Sequence, residues 1–123
     1  MKKQVKEIPI YGSKLIFIDS TNTEKLRRHF PDMLNEDEEV YAHAISGGYK
    51  GDNSYFILVN SNHSSVKLTH GTIAHEAAHV VSDIITYVGI RFDHTNQEAF
   101  AYLIGYVVDE FYKWANKINI KIY

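Results

Sequence analysis

The second half of the chain contains two stretches in which apolar residues recur every three or four positions, the spacing of one face of an α-helix. The first is expected to begin near Lys67 or Thr69 and to end at Val88, because Gly89 follows as a C-terminal glycine. The second is expected to run from Asn96, a favourable N-cap residue, to about Lys117. Two long helices in succession therefore account for most of the second half of the fold.

The first half of the chain contains short runs of β-branched and aromatic residues, which predict strands at Lys14–Ile18, Val40–Ile45 and Tyr55–Asn60. A short helix is expected at Thr23–Phe30. Its end is set by Pro31, because a proline disfavours helical geometry in the residue before it. The tail Ile118–Tyr123 alternates with period two and fits either a frayed helix end or a short strand. The order of strand, helix, strands and two helices predicts an α+β fold with a small mixed or antiparallel sheet.

The composition narrows the class of protein further. The 123 residues suffice for one domain, spanning 1–123, and the formal charge of −2 argues against a nucleic-acid partner held by a basic field. The chain has seven histidines and no cysteine, which excludes disulfides and thiolate ligands. Any bound metal must therefore use imidazole and carboxylate ligands.

The ends and the apolar runs of the chain predict its cellular setting. Residues 1–7 are basic but no apolar run follows them, so no signal peptide is expected. The uninterrupted apolar runs are too short to cross a bilayer. The expectation is a cytoplasmic protein without a membrane partner.

The motif with the clearest chemistry lies inside the first long helix. His75-Glu76-Ala77-Ala78-His79 is an HExxH sequence. Four residues of α-helix turn through about 400° and rise about 6 Å, so both imidazoles leave one face and can bind one zinc ion. Glu76 is offset by about 100° and can act as general base and acid on a zinc-bound water. Small and apolar neighbours indicate a partly buried helix, in which a metal would compensate for the polar triplet.

A catalytic zinc site needs a third protein ligand and an open position for water. The candidates are Asp83 on the same helix, Asp93 and His94 in the connection, and Glu98 in the first turn of the second helix. Glu98 is the preferred candidate, because it can point back at the first helix if the two helices pack side by side. The small residues Ala101 and Gly105 would permit that close approach. His94 and Tyr87 are also candidate donors for the developing oxyanion.

His75-Glu76-Ala77-Ala78-His79 followed by Asn96-Gln97-Glu98-Ala99 resembles the gluzincin group of zinc metallopeptidases, in which a second helix supplies a glutamate ligand. The resemblance covers about Thr69–Tyr106 and extends in size and order to very small gluzincin-like domains, including those of phage and mobile elements. It implies a zincin-like fold in which an edge strand pairs with extended substrate. Thermolysin-like enzymes place an aspartate four residues after the ligand glutamate, where this chain has Tyr102, whose hydroxyl can accept the imidazole N–H.

These features predict a zinc metallopeptidase that cleaves peptide or protein substrates. The expected zinc ligands are His75, His79 and Glu98, and the expected catalytic residues are Glu76, His94 and Tyr102. The alternative is a zinc-binding regulatory or protein-interaction module that keeps the zincin-like fold without cleaving anything. A water beside a free strand edge would indicate the enzyme, whereas a closed coordination shell would indicate the module.

Overall fold

The computed structural model describes residues 1–9, 11–34, 44–63 and 65–123. Within them, four strands and three helices follow one another along the chain. They are β1 (Lys2–Glu7), β2 (Lys14–Asp19), α1 (Thr23–His29), β3 (Ala44–Tyr49), β4 (Ser54–Val59), α2 (His70–Tyr87) and α3 (Gln97–Lys117). The expectation of an α+β fold with a small mixed sheet is confirmed at this level.

The four strands form one sheet in the order β1-β2-β4-β3. β1 and β2 are antiparallel, β2 and β4 are parallel, and β4 and β3 are antiparallel. The parallel pair therefore occupies the centre, and β3 lies at one edge of the sheet as far as the described residues define it. All six residues of β4 are buried, as expected for a central strand that is covered on both faces.

The two faces of the sheet carry separate apolar clusters. Leu15 and Phe17 of β2 face α2 and α3, whereas Ile16 and Ile18 face α1 and the segment after it. The ring of Phe17 packs edge-on against Phe111 of α3 at a centroid distance of 5.3 Å. Trp114 completes this aromatic group, so α3 is anchored over β2 by its own apolar face.

The ends of α2 explain why the helix occupies its segment. The hydroxyl of Thr69 accepts a hydrogen bond from the backbone N–H of Thr72, which makes Thr69 the N-cap. Gly89 follows the C-terminus with a φ of 80°, a conformation that glycine adopts without steric cost. The predicted boundaries of this helix are therefore confirmed to within one to three residues.

Two parts of the structure differ from the expectation. β1 was not expected, because its sequence Lys-Lys-Gln-Val-Lys-Glu is mostly charged and lacks an apolar alternation. It forms as an exposed edge strand through its backbone pairing with β2. The tail after α3 is neither strand nor continued helix, and Tyr123 donates its backbone N–H to the carbonyl of Leu68. Of the expected strand Val40–Ile45, residues 40–43 lie outside the described part of the chain.

Within the described residues, neither α2 nor α3 contains a stretch that is both long and apolar enough to cross a lipid bilayer. α3 carries Glu98 in its first turn and four charged residues from Asp109 onward, and the apolar face of α2 is occupied by the sheet.

Candidate functional site

The HExxH residues lie within the first ten residues of α2, and the packing of this helix decides which of them reach solvent. Ile73, Ala77 and Val80 are fully buried against the sheet. His75 and His79 therefore lie on the opposite, exposed side, one turn apart. The helical periodicity that buries the apolar residues thus places both imidazoles together in solvent.

The two imidazoles converge on each other. The Nε2 atoms of His75 and His79 are 3.1 Å apart, and the ring planes are inclined at 77°. Two nitrogens that each lie about 2.0–2.1 Å from one tetrahedral zinc ion are about 3.3–3.4 Å apart. The observed separation is that of a hydrogen bond between the two rings, and it is also close to the spacing of two zinc ligands.

Glu76 is offset around the helix from the two histidines and contacts the sheet. Its side chain is buried, with 9 % exposed, and its Oε2 accepts a hydrogen bond of 2.5 Å from the hydroxyl of Ser46 on β3. A short bond of this kind is typical of a hydroxyl donating to a carboxylate. Glu76 therefore links the HExxH helix to the edge strand, and Ser46 is a site residue that the sequence did not reveal.

Glu98 lies elsewhere. It lines a groove between α3 and the segment joining β1 to β2, together with Ile8, Pro9 and Tyr11. Ala101 and Gly105, which were expected to allow close approach of the two long helices, are exposed and line the same groove. The face of α3 that carries Glu98 is thus turned toward the β1–β2 connection, and the apolar face with Val107 and Phe111 packs on the core.

Tyr102 also belongs to this groove. Its side chain is 78 % exposed and lies among the lining residues with Glu98 and Tyr106. Tyr102 was expected to accept a hydrogen bond from the imidazole of a ligand histidine, and Glu98 was expected to be the third ligand. The structure places both on the face of α3 that lines the groove. His75 has its imidazole contact with His79.

The connection between α2 and α3 holds His94 in an exposed turn. Its neighbour Asp93 accepts hydrogen bonds from the hydroxyl and the backbone N–H of Thr95, at 2.5 and 2.7 Å. These bonds, with the hydroxyl of Thr95 as the largest cause, lower the pKa of Asp93. Asn96 accepts from the backbone N–H of Asp93 and donates to the carbonyl of Arg91, so it orders the turn and its side chain does not cap α3.

Asp83 lies one turn after His79 on α2, and its charge affects the pKa of Tyr55 on β4. Burial is the main cause that raises the pKa of Tyr55, and the negative charge of Asp83 raises it further. Asp83 therefore lies within electrostatic reach of the Tyr55 hydroxyl, which itself donates a hydrogen bond of 3.1 Å to Asn53.

The gluzincin-type assignment is wrong. Across the described ranges of the chain, no three histidine, aspartate or glutamate side chains are grouped so that they could hold a metal ion. His75 and His79 form a pair, and Glu98 does not complete it as the third ligand. The physical reason is the rotation of α3, because the face that packs on the core is its aromatic stripe and the Glu98 face is left for the groove.

Comparisons of the chain with protein families, with curated proteins and with solved structures give no match. The function must therefore be inferred from the geometry of the site.

Proposed function

We propose that this chain is a zinc-dependent metallopeptidase, in which His75 and His79 bind the metal and Glu76 serves as general base and acid. The observation that carries the proposal is the convergence of the two imidazoles to 3.1 Å on a helix whose intervening glutamate is buried against the edge of the sheet. The pair supplies two ligands, and the proposed centre needs further ligands from outside this pair.

The position of the edge strand supports a peptide substrate. β3 lies at the edge of the described sheet and carries Ser46, the hydrogen-bond donor to Glu76. An extended peptide can add to such an edge through backbone hydrogen bonds, which would place its carbonyl groups alongside α2. A metal-binding helix beside an antiparallel edge strand is the zincin-like arrangement that we propose for this fold.

The proposed chemistry divides between metal and protein. Zinc, when bound, would polarise the substrate carbonyl and lower the pKa of a coordinated water. Ser46 holds one carboxylate oxygen of Glu76, which fixes the direction of the side chain. Glu76 would then accept the proton of the attacking water and deliver it to the leaving amine.

A second candidate function is a zinc-binding protein-interaction module without hydrolytic activity. It is favoured by the exposed position of both histidines and by the lack of a third ligand in their vicinity among the described residues. In that case the remaining coordination positions would be filled by a ligand from another protein, and the metal would strengthen an interface.

The experiment that tests the proposal combines metal analysis with peptidase assays. Purified protein is loaded with zinc, its metal content is measured, and cleavage of a quenched fluorescent peptide library is followed. We expect stoichiometric zinc and slow cleavage in the native protein, retained zinc without cleavage in Glu76→Gln, and loss of zinc in His79→Ala. His29→Ala is the matched control, because His29 is an exposed histidine at the end of α1.

The outcomes separate the two candidates. Stoichiometric zinc without cleavage of any library member would favour the interaction module. Cleavage that survives Glu76→Gln would contradict the mechanism, and full zinc occupancy in His79→Ala would contradict the ligand assignment.

A further inference from the structure

The groove between α3 and the β1–β2 connection has the properties of a binding surface. It has a volume of about 850 Å³, which is in the range of ligand and peptide sites. Its walls include Ile8, Pro9 and Tyr11 from the connection, and Tyr102, Leu103 and Tyr106 from α3. A concave surface lined by apolar and aromatic side chains is a common form of binding site.

Ile8 and Leu103 of this surface are part of the core, whereas Tyr102 is left exposed by the fold. Its side chain is 78 % exposed, the highest exposure among the large apolar and aromatic residues described. Phe111 and Trp114, on the core-facing side of the same helix, are almost completely buried. α3 therefore has an aromatic face for its own core and, on another side, an exposed tyrosine beside the half-buried Tyr106.

The charges that line the groove indicate the charge of the partner that would fit it. Its charged lining residues, within the part of the chain that the structure describes, are Glu98 and Asp109, and both are acidic. They lie near opposite ends of the α3 wall, about 16 Å apart along the helix axis. Three tyrosines lie between or beside them, and the faces of aromatic rings attract Lys and Arg side chains. The surface is complementary to a segment with apolar residues in its middle and cations at both ends.

The shape of the α3 wall favours a helical segment. Ala101 and Gly105 are one turn apart, and because both are small they leave space along the α3 wall beside the tyrosines. A Cβ atom added to Gly105 would meet no atom within 4 Å, so the space above this glycine is open to a partner. Small residues at this spacing allow two helices to approach closely, with side chains of one helix filling the space above the other.

We infer that this groove binds an amphipathic basic helix of a partner protein, with apolar side chains over Ala101 and Gly105 and Lys or Arg side chains at Glu98 and Asp109. This is the helix-in-groove mode of recognition, in which one apolar stripe supplies the contact and flanking charges set the orientation. The inference is independent of metal binding, because the groove lies on α3 and the histidine pair lies on α2.

The test uses a synthetic peptide of about four helical turns, with leucines at helical spacing in the middle and two arginines at each end. Its binding to the full chain is measured by fluorescence anisotropy and by backbone amide shifts in NMR spectra. We expect saturable binding with the largest shifts in residues 98–109 and 8–11. A peptide with glutamates in place of the arginines is the control and should bind at least tenfold more weakly.

Variants of the protein locate the binding to the groove. Gly105→Leu fills the open space and should weaken binding at least tenfold, whereas Asn116→Leu adds the same side chain at an exposed α3 position outside the lining residues and should have no effect. Glu98→Lys with Asp109→Lys should reverse the preference between the two peptides. The circular dichroism spectrum of each variant checks that the helix content is retained.

Three results would overturn the inference. They are equal affinity for the basic and acidic peptides, unchanged affinity in Gly105→Leu, and amide shifts that map away from the groove. Light scattering at high protein concentration adds a further test, since a dimer that Gly105→Leu abolishes would assign the groove to a second copy of the chain.

Discussion

The hydroxyl of Ser46 donates a 2.5 Å hydrogen bond to the carboxylate of Glu76, joining the edge strand β3 to the helix that carries the histidine pair. The two residues are 30 positions apart in the chain, so their contact exists only in the folded protein. It gives the buried carboxylate a partner and orients it toward the strand edge that we propose as the substrate platform. The stability of this contact is directly measurable.

Removal of the Ser46 hydroxyl should destabilise the fold. Ser46→Ala leaves the buried carboxylate of Glu76 without this donor, and we expect a loss of about 1–3 kcal/mol in the free energy of unfolding. Urea titration followed by the fluorescence of Trp114 measures the change. Ser82→Ala, at an exposed position of α2, is the matched control and should change stability by less than about 0.5 kcal/mol.

A double-mutant cycle isolates the contact itself. If Ser46 acts through Glu76, then Ser46→Ala should cost much less in a Glu76→Gln background than in the native protein. Equal losses in both backgrounds would show that the serine stabilises β3 independently of the carboxylate.

The histidine pair should account for the stabilisation of the protein by zinc. Binding to the native state alone stabilises it by about 2.7 kcal/mol when the free metal is at 100 times its dissociation constant. Thermal unfolding with zinc and with a chelator should show this difference in the native protein. His75→Ala and His79→Ala should each abolish it, and His29→Ala should retain it; a zinc effect that survives both substitutions would place the metal elsewhere.

Zinc affinity should not depend on Glu98. Since Glu98 lies in the α3 groove, Glu98→Gln should change the zinc dissociation constant by less than about twofold, within ordinary variation of surface substitutions. Competition with a colorimetric chelator measures the constant. A tenfold or larger loss of zinc affinity in Glu98→Gln would instead show that Glu98 is a zinc ligand, contrary to the geometry of α3.

The turn before α3 should depend on pH in a defined direction. Hydrogen bonds from Thr95 lower the pKa of Asp93, so they contribute stability above the pKa of the unfolded state and lose it as the pH falls through the lower folded value. Thr95→Val removes the hydroxyl donor and should raise the pKa of Asp93 toward its ordinary value. Carboxyl chemical shifts in an NMR pH titration measure it, and Thr95→Ser should restore the low value.

The aromatic group beneath α3 should dominate stability. Phe17 is fully buried between Phe111 and Trp114, so Phe17→Ala should cost about 3–5 kcal/mol. Tyr102→Ala, at an exposed position of α3, should cost less than about 0.5 kcal/mol. Chemical denaturation of both variants makes the comparison. A cost of several kcal/mol for Tyr102→Ala would show that the groove face belongs to the core.

Local patterns were sufficient for the elements that depend on local physics. The two long helices follow from apolar residues at a spacing of three to four, and the boundary at Thr69 and Gly89 follows from capping and backbone conformation. The closeness of His75 and His79 is likewise a property of one helix, because a separation of four residues brings two side chains together on any α-helix. β1 escaped prediction because backbone pairing with β2, rather than its own charged side chains, makes it a strand.

The rest was decided by tertiary packing. Whether Glu98 could meet the histidines depended on the rotation of α3, and the burial of Phe111 and Trp114 against Phe17 set that rotation and turned Glu98, Tyr102 and Gly105 to the groove. In the same way, only the sheet order places Ser46 against Glu76. A helix carries its own periodicity in the sequence, but the angle at which it meets its neighbours is chosen by the side chains of other elements, which no single segment contains.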